Sequence, residues 1–446
     1  MIDSARTHVR SELPHAARRS GAAVAALSTL AAVGIAVLPG SAGSAQAVEV
    51  TPRPQSGSVV FEGRGYGHGR GMSQWGAYGA ADAGLAWADI LAFYYPGTAL
   101  HKVAGGSIRV WISGDNDGST TVLPAPGLTA IVGRTARALP TGAGYRAWRV
   151  EASGDATKVA YLDAAGAWKP YRLPVGKAVV FRSSSKIVTL SLPGGIQQAL
   201  RGSVIAHRDG SSLKTVLDST MESYLRSVVP NEMPSSWHVQ ALAAQSVAAR
   251  TYAAAYLTRQ RAKGAVWDIC DTISCQVFKG VARVTKAGTR IGGETKRTDD
   301  AIARTAGLVL RSSKRANAPL AFTEFSASNG GYSVAGGPSY QVAKSDPYDG
   351  RMKNPNTGWT KQIPVRTLEQ EFGLGQLTDV RIINRDGRGQ LGGRVQDLQL
   401  RGTKRAVTIS GTKMRQTLAL RSDWFVVKAV PMLPTQPAGR TPASKR

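Results

Sequence analysis

Tyr224-Leu225-Arg226-Ser227-Val228-Val229-Pro230-Asn231-Glu232-Met233-Pro234 is followed after a short gap by Ala241-Leu242-Ala243-Ala244-Gln245-Ser246-Val247-Ala248-Ala249-Arg250-Thr251-Tyr252. Tyr224, Leu225 and Val228 fall on one face of a short helix, for which Ser219 and Glu222 offer a capping box and Pro230 a stop. A second helix is predicted from Ser236 as N-cap through Ala255 to Gly264, and its small residues allow close packing. Glu232 then sits in a loop clamped by Pro230 and Pro234 and flanked by Val229 and Met233. A carboxyl held against apolar surface keeps its proton near neutral pH, which suits a general acid. The same position also suits a solvated carboxylate that complements the dipole of the following helix.

These two segments resemble the SpoIID/LytB family of bacterial cell-wall proteins. Asp271-Thr272 with Cys275-Gln276-Val277-Phe278 and Gly280 is similar to the family's next block, and Phe325-Ser326-Ala327-Ser328-Asn329-Gly330-Gly331 to its Ser/Gly-rich block. The resemblance covers most of residues 203–331. In the sporulation protein that typifies the family, a glycine-rich block follows the catalytic region. Here Gly67-His68-Gly69-Arg70-Gly71-Met72-Ser73-Gln74-Trp75-Gly76-Ala77 comes first, continued by Ile90-Leu91 and Tyr94-Tyr95-Pro96-Gly97-Thr98. Residues 394–427, with Ser410-Gly411-Thr412 and Leu420-Arg421-Ser422-Asp423-Trp424-Phe425, resemble the strand-rich stretch that normally precedes that block. A permuted arrangement is therefore expected, with Val59-Val60-Phe61 close in space to Trp424-Phe425-Val426.

The resemblance implies a lytic transglycosylase acting on the glycan strands of peptidoglycan, with Glu232 matching the family's catalytic glutamate. Such an enzyme uses the sugar's own 6-hydroxyl as nucleophile, so one carboxyl serves as acid and then as base, whereas hydrolases normally use two. No metal or cofactor is required. The family name also covers amidase enhancers, so the alternative is a non-catalytic wall-binding protein that stimulates a separate cell-wall amidase. Candidate substrate contacts are Gln245, Arg250, Ser326, Ser328, Gly330, Gly331, His68, Ser73, Gln74 and Gln276. Gln245 and Arg250 stand about 140° apart around an ideal helix, so one of the two is expected to be structural. For Arg250 the alternative is an ion pair, for the Ser/Gly block a tight turn, and for His68, Ser73 and Gln74 a structural hydrogen bond. Asp268, Asp271, Asp299, Asp300, Glu222, Glu294 and Glu324 remain possible second acids, with no spacing that promotes one. Cys270 and Cys275 read best as a local disulfide in an exported chain, with free thiols or a zinc site as alternatives.

Composition bounds the rest. The 446 residues carry 56 Lys plus Arg against 29 Asp plus Glu, a net charge of +27 that calls for polyanionic surroundings. Arg18-Arg19, an apolar run and Ala45-Gln46-Ala47 predict a signal peptide over residues 1–47, so the polyanion expected is cell wall and not nucleic acid. No stable membrane span is expected after cleavage, and the chain is expected to be secreted or wall-bound. The expected organisation is α+β. The glycine-rich block at 48–100 completes the core, and a mostly-β module is inserted at 101–200. The SpoIID-like core at 201–430 holds the helix-loop-helix active-site region, and a disordered basic tail follows at 431–446.

Overall fold

The computed structural model describes residues 47–429 apart from Ser56 and Val175. The expected leader, up to residue 46, and the expected tail lie outside the described residues. Within them the fold is mixed α+β, and no helix is long and apolar enough to cross a membrane. The helices are α1 (Gln74–Asp82), α2 (Trp87–Tyr94), α3 (Met221–Glu232), α4 (Val239–Ala262), α5 (Lys296–Arg304), α6 (Val365–Phe372) and α7 (Gly411–Thr417).

Three apolar cores organise these elements. The first lies between a seven-stranded and an eight-stranded sheet and receives one face of α3 through Tyr224, Leu225 and Val228. Strands from the stretch 101–200 are woven into both sheets. Ser107–Trp111 lies between Ser212–Thr220 and Ile269–Cys270, while Ile196–Arg201 pairs with Ala282–Val284. That stretch therefore shares its core with the segment that follows it and does not stand apart as a separate body. Alternating burial along these strands, as in Ile187–Leu192, is the pattern of a sheet with one face on the core.

The second core packs α1, α2 and α4 through Ala77, Ala80, Leu91, Leu242, Ala244 and Val247. The third joins a three-stranded sheet of Trp359–Pro364, Ser58–Gly63 and Phe425–Ala429 to a four-stranded one containing Leu377–Arg385 and Val395–Gly402. Here the expected permuted closure is present. Ser58–Gly63 runs antiparallel to Phe425–Ala429 with Phe61 opposite Val427 and Gly63 opposite Phe425, and the Phe61 and Phe425 rings meet edge to face at 5.3 Å.

Two local expectations are corrected. Pro230 does not end the first helix, which continues to Glu232 with Met233 N–H bonded to Val229 O at 2.9 Å. A proline in the last turn forfeits only one backbone bond, and Asn231 Nδ2 donates to Ser227 O at 2.6 Å in that same turn. The caps also shift: Thr220, not Ser219, accepts from Ser223 N–H at 3.2 Å, and His238, not Ser236, caps α4 through Gln240 N–H at 3.2 Å.

Phe61 is fully buried against Phe425, so Phe61→Ala is expected to cost about 3–5 kcal/mol in urea unfolding. A loss below about 1 kcal/mol would mean that this strand pair does not close the third core.

Candidate active site

Glu232 is the last residue of α3 and lines a cleft of about 490 Å³. Around it stand His68, Arg70, Gln74, Tyr252, Glu324 and Ser326. Burial pushes the Glu232 carboxyl above its usual range, opposed by the Val277 N–H at 2.8 Å and by the nearby Gln74 amide. The helix C-terminus adds to the upward push, because its negative dipole end disfavours a carboxylate. No cation pairs with Glu232 among the described residues. Its loop is replaced by a helix end, but the apolar clamp expected from Val229 and Met233 is present, both side chains being buried.

The second carboxyl in the cleft has the opposite character. Arg70 grips Glu324 with a two-pronged fork, Nε to Oε2 at 3.0 Å and Nη2 to Oε1 at 2.6 Å. Burial works to raise the Glu324 pKa, but the Arg70 hydrogen bonds and charge prevail and hold it below the usual value. Burial, helped by Arg70, pushes His68 down to about 4 although Glu324 opposes it, so the ring is neutral at ordinary pH. Its Nδ1 accepts from Arg70 N–H at 3.0 Å, which leaves the single ring proton on Nε2.

Backbone geometry brings these distant residues together. Met72–Ser73 pairs in parallel with Phe325–Ser326, laying the glycine-rich loop along the Ser/Gly block. Gly71, at φ +65°, is needed because a Cβ there would strike the Glu324 carbonyl; one at Gly67 would come within 2.7 Å of Ser326 Cβ. A disulfide between Cys270 and Cys275 braces the turn that carries Val277 N–H to Glu232, and Ser274 and Cys275 form part of the cleft wall.

The expected contacts divide. Glu232, His68, Gln74 and Ser326 share the cleft; among the described residues Ser326 Oγ is buried there without a hydrogen-bond partner, and Gln74 Nε2 lies near Glu232 without closing a well-formed hydrogen bond. The other expected contacts serve the framework. Arg250 is 1% exposed and closes a fork on Glu222 at 2.9 and 2.7 Å, also donating to the Leu308 and Ile302 carbonyls. Gln276 Oε1 accepts from Tyr224 OH at 2.9 Å within the first core. Ser73 caps α1 and donates to Asp349, which also accepts from Ser328 Oγ at 2.7 Å. Gly330, at φ +78°, sends its N–H back to Ser328 Oγ and Asp349, forming a tight turn with Gly331. Gln245 is wholly buried inside α4, both amide atoms lacking partners among the described residues. None of these seven residues lines the cleft: six are buried elsewhere, and the half-buried Gly331 is held by its N–H bond to Asn329 Oδ1 at 2.9 Å. Arg70 and Tyr252 were not among the expected contacts, and Glu324 had only been one of several possible acids. Positions 70 and 324 are 254 residues apart, so no spacing rule links them.

A family model described as SpoIID, Stage II sporulation protein, matches residues 209–311, the segment holding α3, Glu232, α4 and the disulfide. The chain carries a SpoIID-family domain. It is 34% identical over 151 residues to the amidase enhancer of Bacillus subtilis (strain 168), covering 32% of this chain and 17% of that one. Stage II sporulation protein D of the same organism is 29% identical over 221 residues, covering 48% and 61%. The protein of that name from Bacillus amyloliquefaciens is 29% identical over 231 residues, covering 48% and 62%. The chain thus spans less than two thirds of the length of each of these relatives. No solved structure gives a significant match. Of the SpoIID domain, the matched segment supplies Glu232, Tyr252 and Val277, whereas His68, Gln74, Glu324 and Ser326 come from outside it.

Breaking the buried Arg250 pair separates framework from substrate contact. Arg250→Ala is expected to lower unfolding stability by about 3 kcal/mol and, well below the melting temperature, to leave glycan affinity unchanged. Unchanged stability with weakened glycan binding would return Arg250 to the ligand.

Proposed function

We propose that this protein acts on the bacterial cell wall as a peptidoglycan lytic transglycosylase, with Glu232 as its acid and base. The observation that carries the proposal is the pairing of two unlike carboxyls in one cleft. Glu232 is desolvated, has no counter-ion among the described residues and is biased toward the protonated form. Glu324 is held as an anion with both oxygens engaged by Arg70, which makes it a poor base for activating water. One working acid suits a reaction whose nucleophile belongs to the substrate.

In this reading Glu232 protonates the glycosidic oxygen that leaves N-acetylmuramic acid. As a carboxylate it then takes the proton of that sugar's 6-hydroxyl while the 1,6-anhydro ring closes, so the proton returns to Glu232 and no water is consumed. Val277 N–H steadies the carboxylate between the two steps. Buried polar atoms without partners mark positions where a ligand's hydrogen bonds are wanted. Ser326 Oγ supplies one of these, and His68 Nε2–H supplies a neutral donor for a sugar hydroxyl or acetamido oxygen.

The similarity to the Bacillus subtilis amidase enhancer favours a second reading, in which the cleft binds wall glycan and stimulates a separate amidase. Mass spectrometry of glycan strands, with and without stem peptides, tells the two apart. Mature protein is expected to generate anhydro-muramic ends, and Glu232→Gln to lower the rate by about 10²–10⁴ with folding intact. Absence of such ends on either substrate, with undiminished stimulation of an amidase by Glu232→Gln, would establish the second reading.

The working form of Glu232 is the acid, so kcat/KM falls as pH rises through its raised pKa. The midpoint of this alkaline limb is expected above the ordinary glutamate value of ~4.3, and His68, lowered to about 4, adds no ionisation near neutral pH. A limb centred at the ordinary value would remove desolvation of Glu232 from the mechanism.

A further inference from the structure

Next to the cleft, and sharing Tyr66 and Ala327 with it, lies a second hollow of about 640 Å³. Trp75, Trp359, Lys361 and Arg421 help to line it. Tyr66 is 51% exposed at the junction of the two hollows and belongs to both walls. Lys361 and Arg421 come from separate segments, yet neither meets a carboxylate among the described residues. Lys361 Nζ donates to the Leu418 and Ala419 carbonyls at 2.7 and 3.1 Å, and Arg421 Nη1 to Pro355 O and Asn356 Oδ1 at 3.1 and 2.9 Å. These neutral partners hold the cations in place without neutralising them.

We propose that this hollow is a binding site for a further muramyl residue along the strand, beyond the disaccharide that spans the cleaved bond, its sugar ring lying on the aromatic side chains and a carboxylate that it bears meeting Arg421 and Lys361. The inference rests on the glycan reading of the adjoining cleft. Aromatic faces suit the apolar face of a pyranose ring, while a fixed guanidinium suits a carboxylate. A glycan strand alternates neutral N-acetylglucosamine with muramyl units, and only the latter carry acid. Aromatic and uncompensated cationic groups in one hollow therefore select the muramyl position. The carboxylate has two sources: the lactyl group of a peptide-free strand, or the stem peptide, whose attachment converts the lactyl acid into an amide.

Titration calorimetry on the full chain carrying Glu232→Gln measures binding without cleavage. Three probes are compared: peptide-free muramyl strands, strands with stem peptides, and chitin oligosaccharides, which bear no carboxylate. Adding Arg421→Gln is expected to weaken at least one muramyl probe by about tenfold and to flatten its salt dependence, with chitin affinity kept within about twofold. The muramyl probe that responds identifies the source of the carboxylate. Lys361→Gln, at a separate position, is expected to act in the same direction. Unchanged affinity for both muramyl probes in both variants overturns the site, as does an equal loss for chitin. If the unmutated protein forms no anhydro ends but the charge effect persists, the catalytic reading falls and this site stands.

Discussion

The burial of the first half of α4 on every face is the constraint on which the rest of the molecule depends. From Ala241 to Thr251 each residue is buried, and opposite sides of the helix serve two cores. Small side chains let α1, α2, α3 and α5 approach this axis closely. Such an enclosed helix has no solvent side on which to place polar groups. Ser246 and Thr251 therefore donate to carbonyls one turn back at 2.7 Å, and Arg250 is matched by Glu222. The same fork reaches Gly307 N–H through Glu222, so one ion pair joins α3, α4 and the segment beyond α5. With α3 fixed in this way, Glu232 at its end has little freedom.

Around that anchor the site is built by contrast between environments. Two glutamates share a cleft, and their chemistry differs because Glu232 meets only neutral donors, the Val277 N–H and the Gln74 amide, while the glycine-rich loop offers Glu324 a guanidinium. His68 is kept neutral chiefly by burial, helped by the same arginine that holds Glu324 ionised. The positive residues of the neighbouring hollow have no such anionic partner among the described residues, so unbalanced positive charge lies beside Glu232 and not on it.

Much of this was legible in the sequence where the physics is local. The helix pair, the apolar neighbours of Glu232 and the strand alternation follow from periodicity, and the meeting of Phe61 with Phe425 follows from the order of recognisable blocks. Sequence failed where a residue's partner is remote. Arg250 looked as ready to bind sugar as to form an ion pair, because nothing in the helix pattern says that its surroundings are closed on all sides. Arg70 and Glu324 carried no mutual spacing. Pro230 misled in another way, since its usual veto on helices applies to interiors and loses force in a final turn. The sharing of strands between residues 101–200 and 201–292 was also hidden, because alternation reveals a strand but not its neighbours.

The closure between early and late segments has a kinetic consequence. Thr51 Oγ1 bonds Val427 O across 376 positions, and the Arg70–Glu324 fork spans 254. Contacts of such high order form slowly, because a long loop must close before they reward it. The helix pair bearing Glu232 can condense early from local contacts, but the opposite wall of the cleft arrives only when the two distant segments meet. Completion of the cleft is thus a late event in folding, and a chain interrupted before residue 324 would hold Glu232 in an unfinished groove.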